Sequence, residues 1–209
     1  SSDVCSSDLI VSTIESVGIT PGHDVSIGMD IAATQFFKDG RYHLDSESKN
    51  LSAREFGNYL LALLNNFPII SLEDPFAEDD WASWQEFLAV TPRGVQIIGD
   101  DLLTTNLDRL SRAIDEKSAN AILIKPNQNG LLTSTFEVLH NAQKNGFKTI
   151  VSARSGETED SWLADLATGW NAQQIKVGST HGSDRTAKWN RLLELESTEE
   201  TIFANPFKN

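Results

Sequence analysis

Residues 121–152 read AILIKPNQNGLLTSTFEVLHNAQKNGFKTIVS. Ala121 to Ile124 is an unbroken apolar run that closes on Lys125, and Thr149 to Val151 is a second that closes on Ser152. Continuous rather than alternating apolar character is what a strand covered on both faces requires, so both runs predict buried parallel strands. Between them Leu132, Phe136 and Leu139 fall at helical spacing, which predicts a helix that ends before Gly146 and carries these three on its buried stripe. A strand, a helix and a second strand at this spacing make one β/α unit.

The same reading extends in both directions. Val25 to Met29, Ile69 to Leu72, Val95 to Ile98 and Gln174 to Ile175 predict four more strands. Ser52-Ala53-Arg54-Glu55 is a capping box, and Phe56, Tyr59, Leu60, Leu63, Leu64 and Phe67 follow on one helical stripe that Pro68 ends. Asn106 caps a helix carrying Leu107, Leu110 and Ile114. The polar residues closing the runs lie 43 residues apart from Asp30 to Glu73, then 27 to Asp100, 25 to Lys125, 27 to Ser152 and 24 to Lys176. The shorter intervals are a β/α period. The long one contains Phe36 to His43 around Asp39-Gly40, which predicts an inserted hairpin. Six such strands fit an α/β fold: a (β/α)8 TIM-type barrel lacking its opening units, or a doubly wound sheet. The chain has no GxGxxG or Walker motif to favour the second, and no linker to divide residues 10–209 into two domains.

Composition narrows the function classes. Seventeen Lys+Arg against 30 Asp+Glu give a net charge of -13, a field that opposes nucleic acid and anionic membranes as partners. A single Cys makes no internal disulfide, and no apolar run reaches the length of a membrane span, so the expectation is a soluble cytoplasmic protein. Ser1 to Leu9, SSDVCSSDL, carry no apolar pattern and no basic region; they read as a non-native, adapter-like stretch or a disordered tail, with Cys5 uninformative.

Active sites of barrels lie at the carboxyl ends of the strands. The residues found there are Asp30, Glu73 with Asp74, Asp100 with Asp101, Lys125, Arg154 with Ser155, and Lys176. Three converging carboxylates need a cation to stay ionised together, and all-oxygen ligation suits Mg2+. The basic residues suit a multiply anionic substrate: Arg154 can fork onto a phosphate and Lys176 can neutralise a carboxylate. Lys125 is the candidate base. Taken singly, an acid after a strand is most often a helix cap and a strand-end lysine most often a solvated side chain. Six strand ends in succession outweigh those readings. Gly156 to Asp160 reads as an acidic first helical turn, Trp81, Trp84, Phe87 and Leu88 as core, and His23, His43 and His140 as surface.

Ser71-Leu72-Glu73-Asp74-Pro75-Phe76, Gly99-Asp100-Asp101-Leu102, Lys125-Pro126-Asn127-Gln128 and Arg154-Ser155-Gly156-Glu157-Thr158-Glu159-Asp160 resemble the C-terminal barrel domain of the enolase (phosphopyruvate hydratase) family, in order, from about Ile10 to Glu196. The resemblance implies a Mg2+-dependent lyase of glycolysis, homodimeric when complete, that dehydrates 2-phosphoglycerate to phosphoenolpyruvate. It makes Asp30, Glu73 and Asp100 the metal ligands, Lys125 the base that removes the α-proton, Arg154 and Ser155 the phosphate clamp, and Lys176 a substrate contact. It also places the general-acid glutamate and a smaller N-terminal domain outside these 209 residues, so the chain alone is expected to be inactive. Three positions depart from the family pattern: Ala153 where His precedes the clamp arginine, Gly182 where Arg stands, and Pro126 after the base. Ala153 leaves room beside the phosphate, which opens the alternative of a dehydratase similar to carboxyphosphonoenolpyruvate synthase; Ala153 together with the segment that the resemblance places outside these residues opens a second, a non-catalytic homologue.

Overall fold

The computed structural model describes residues 3–207. The chain forms two compact units, the first taking in everything through Leu102 together with Glu116–Ala119, the second Leu103–Asp115 and the chain from Asn120 on.

In the first unit, strands β1 (Ile27–Asp30), β5 (Ile69–Glu73) and β6 (Gln96–Gly99) pair in parallel. The register sets Asp30 opposite Glu73 and Glu73 opposite Ile98, so the acidic strand ends stand side by side. Gly28 makes that approach possible, since a Cβ there would lie 2.8 Å from Ser71 Oγ. β1 starts two residues later than the apolar run predicts. Val25 is 42% exposed because Gly22 N donates to Val25 O and turns the chain back on Pro21.

The expected hairpin is present as β2 (Phe37–Lys38) and β3 (Arg41–Leu44), with a third strand, β4 (Lys49–Leu51), that its polar sequence conceals. Tyr42 of β3 is fully buried and stacks on Phe56 of helix α2 (Ala53–Asn66), ring centroids 4.7 Å apart. Its hydroxyl donates to Asp80 Oδ2 at 2.9 Å and accepts from Ala77 N at 3.0 Å. Asp80 in turn caps helix α3 (Trp81–Val90), which buries Trp81, Trp84 and Phe87. Burial raises the Tyr42 phenol far above its usual range, so it stays a donor. This hydroxyl thereby fixes the segment that leaves β5. Tyr42→Phe leaves a buried amide and a half-buried carboxylate short of a partner, and is expected to lower unfolding free energy by about 1–3 kcal/mol in a urea titration with unchanged slope.

Helix α1 (Asp3–Ser16) occupies most of the stretch read as a tail. Its Ser12 and Thr13 hydroxyls both bond back to Leu9 O, while Leu9 and Ile10 are exposed, so no apolar stripe advertises the helix.

In the second unit, β7 (Ala121–Ile124), β8 (Lys148–Ser152) and β9 (Gln174–Lys176) pair in parallel, with Ile124 opposite Val151 and Ser152 opposite Lys176. They alternate with α4 (Leu107–Glu116), the one-turn α5 (Pro126–Asn129), α6 (Leu132–Lys144), α7 (Trp162–Gly169) and α8 (Ser183–Thr198). The buried face of α6 is Thr135, Val138, Leu139 and Ala142, whereas Leu132 and Phe136, expected inside, are exposed. Phe136 instead stacks on His140, centroids 5.8 Å apart, and tilts against Trp170. All six long-range strands are thus parallel and alternate with helices, an α/β architecture. Among the described residues no helix is long and apolar enough to cross a membrane.

Candidate active site

The acidic strand ends belong to the first unit. Glu73 closes β5 at 5% exposure, and its carbonyl accepts from Ile31 N just beyond β1. Asp74 follows in the left-handed region, φ 43°, a conformation that costs a non-glycine residue about 1 kcal/mol and needs compensation. The compensation is visible. Asp74 N donates to Ile98 O, Ala33 N donates to Asp74 O, and the carboxylate accepts from Asp100 N at 3.0 Å and Asp101 N at 2.8 Å. Asp74 therefore fastens the end of β6 to the end of β5. One carboxylate oxygen from each of Asp74, Asp100 and Asp101 lies within 4.8 Å of the others. Burial pushes the Asp74 carboxyl up to about 7; the amides of Asp101 and Asp100 pull it down, and the neighbouring carboxylates add to the rise.

Of the three expected ligands, Asp100 sits in this cluster, while Asp30 and Glu73 stand in register on the two adjacent strands. Asp30 is exposed and Asp100 is 9% exposed. A set of carboxylate oxygens gathered at adjacent strand ends is an all-oxygen donor set, which fits a hard divalent cation such as Mg2+.

The basic strand ends belong to the second unit. Lys125 follows β7, is 9% exposed, and gives its backbone N–H to Thr105 Oγ1 at 2.9 Å. Thr105 is buried in the left-handed region beside a left-handed Thr104, an unfavourable state for a β-branched residue. Its hydroxyl holds that state by donating to Gln128 Oε1 at 2.8 Å, and Asn129 Nδ2 donates to its carbonyl. Pro126 opens α5 at the position where proline is preferred, so its departure from the family pattern has a structural use.

Arg154 and Ser155 are exposed on the loop after β8. Ala153 N donates to Lys176 O, which ties that loop's first residue to the end of β9, and Lys176 is exposed there. Lys125, Ser152 and Lys176 thus end three adjacent parallel strands. A cavity of about 200 Å3 is walled by Pro126, Asn127, Ser152, Arg154, Gly156 and Trp162, among others.

Residues 156–160, expected as a helical turn, form a loop that precedes α7. Glu157 reaches back to accept from Arg154 N at 2.8 Å, a role the sequence shows only as an acid three residues after an arginine. His23 and His140 lie on the surface, as expected; His43 is partly exposed with its Nε2 3.3 Å from Lys38 O.

One family model matches the chain. It is described as the enolase C-terminal TIM barrel domain and matches residues 2–205, a span that includes most of the stretch read as a tail. The α/β architecture is accordingly that of an incomplete TIM barrel, with six parallel strands among the described residues. The chain belongs to the enolase C-terminal TIM barrel domain family, a family of lyase-type enzymes.

Proposed function

We propose that the chain is the barrel part of a Mg2+-dependent hydro-lyase that converts 2-phosphoglycerate to phosphoenolpyruvate, working in cytoplasmic glycolysis as a homodimer. The observation that carries this reading is the division of the strand ends by charge: carboxylates close β1 and β5 and follow β6, and cationic residues stand at or just past the ends of β7, β8 and β9.

Asp30, Glu73 and Asp100 would hold the metal, with Asp74 orienting Asp100 through the two amides it accepts. Bound Mg2+ would supply the positive charge that makes a carbanion next to a carboxylate accessible. Lys125 Nζ takes the proton α to the substrate carboxylate. Its main chain is held by Thr105, so the search of its flexible stem starts from a fixed point. Arg154 and Ser155 hold the phosphate and Lys176 counters the carboxylate. The β-hydroxyl then leaves as water with a proton from the glutamate that the resemblance places outside this stretch. Dehydration of 2-phosphoglycerate, followed by absorbance of the enol product in Mg2+ buffer, tests the reading on the complete protein carrying this chain; absence of any product overturns it.

Ala153 favours a second reading, a related dehydratase whose substrate bears an additional acidic group. Its side chain stops at Cβ beside the clamp arginine, on a residue whose amide is already committed to Lys176 O. Under the first reading, Ala153→His preserves or raises kcat/KM on 2-phosphoglycerate by adding a donor near the phosphate. Under the second, the imidazole fills space the larger acid needs, and kcat/KM on that acid falls. Unchanged preference between the two substrates removes position 153 from the argument. A non-catalytic homologue would have no reason to keep every proposed ligand and base position filled.

A further inference from the structure

We propose that Arg185 and Lys188, three residues apart on α8, are positioning residues that fix the phosphate-clamp loop from behind, through its carbonyls and through Glu157. The proposal rests on the reading of Arg154 and Ser155 as that clamp.

The loop between β8 and α7 has no regular structure, and Arg154, Ser155, Gly156, Thr158, Glu159 and Asp160 are exposed. Left to itself such a loop would sample many conformations, and a clamp arginine on it would bind an anion only after paying that ordering cost. Three of its carbonyls are held. Arg185 Nη1 donates to Arg154 O at 2.8 Å and to Val177 O at 3.0 Å, and Arg185 Nη2 donates to Ser155 O at 2.8 Å. Lys188 Nζ donates to Thr158 O at 2.8 Å.

Lys188 is a buried cation with its three protons accounted for. Its side chain is 1% exposed, and Nζ also donates to Asp184 O at 3.0 Å and lies 3.1 Å from Glu157 Oε2. An ammonium so enclosed persists only when paired and fully hydrogen-bonded. The other oxygen of Glu157 accepts from Arg154 N. Arg154 is therefore gripped on both sides: its amide by Glu157, which Lys188 anchors, and its carbonyl by Arg185. Those two bonds fix the main chain from which the clamp guanidinium projects.

The geometry also explains the residue types. A planar guanidinium spans two successive carbonyls and a third on the next strand's exit, which a lysine point charge does not. Gly178 clears the path, since a Cβ there would lie 3.3 Å from Arg185 Cδ and the residue has φ 110°. With the carbonyls of Arg154 and Ser155 turned towards Arg185, planarity of the peptide groups turns the N–H groups of Ser155 and Gly156 the opposite way. A loop pinned in this manner presents donors without rearranging.

The test uses the 209-residue chain, inorganic phosphate as the probe and amide NMR as the readout. Parent protein is expected to shift the Arg154 to Gly156 amides on phosphate titration, and Arg154→Ala to lose that response. Arg185→Lys and Glu157→Gln are expected to weaken phosphate binding about tenfold, a size typical of groups that orient a binding residue, and to speed amide exchange at Arg154. Both variants keep a polar group in place, and undisturbed amide dispersion elsewhere shows that they fold even where Lys188→Met does not. A role confined to fold stability would lower the unfolding midpoint while leaving the phosphate Kd of the folded protein unchanged; that result, with parent-like exchange at Arg154, overturns the proposal and leaves the clamp standing. Parent protein indifferent to phosphate, or Arg154→Ala binding as well as parent, overturns the clamp and the function given to Arg185 and Lys188 with it.

Discussion

Lys125→Ala in the complete protein abolishes exchange of the substrate α-proton with deuterated solvent and leaves Mg2+ affinity at the parent value. The two readouts separate because the base acts in the chemical step, while the substitution leaves Asp30, Glu73 and Asp100, the proposed metal ligands, in place. Truncation at Cβ also spares the bond from Lys125 N to Thr105 Oγ1, so the main chain after β7 keeps its anchor. A positioned base contributes roughly 10²–10⁴-fold to proton transfer, and exchange should fall by at least that factor. Exchange at the parent rate moves the base elsewhere, and Lys176, at the end of the strand two over, is the next candidate.

Thr105 illustrates what the sequence left hidden around that base. It precedes Lys125 by 20 residues, and neither its burial nor its left-handed backbone follows from a Thr-Thr pair. Lys188 and Glu157 are 31 residues apart, and no local spacing links a helix lysine to an acid in a preceding loop. What the sequence does show is whatever is local. Continuous apolar runs located all six parallel strands because both faces of each need covering, and the Ser52 to Glu55 capping box is present in full. Failures have the same origin. The apolarity of Val25 predicts a strand residue, but a turn through Gly22 takes it out; the spacing of Phe136 predicts a buried ring, but that ring finds partners in His140 and Trp170 at the surface. The strand-end residues were legible as candidates. The way Asp74 bridges Asp100 and Asp101 was not, since a strained residue is visible only once its hydrogen bonds are.

Mg2+ binding, measured by calorimetry, is expected to depend on Asp30, Glu73 and Asp100 together, with the largest loss on Asp100→Asn. Asp100 is the one carboxylate common to the ligand set implied by the family resemblance and to the cluster with Asp74 and Asp101. An amide in its place removes an anionic ligand and leaves the remaining charges unbalanced, so the loss should exceed the roughly 10–100-fold that orienting partners alone contribute. Asp74→Asn separates orientation from ligation. Both Asp74 oxygens already accept main-chain amides, at 3.0 and 2.8 Å, and an Asn side chain would turn an NH2 donor towards one of those two N–H groups. One bond is lost and the end of β6 loosens, so affinity should fall within the range of an orienting partner while the binding stoichiometry stays at the parent value. If Asp74 instead ligates the metal directly, its loss should match that of Asp100. Unchanged affinity in Asp30→Asn, Glu73→Gln and Asp100→Asn alike refutes this ligand set, because each variant removes one of its anionic ligands.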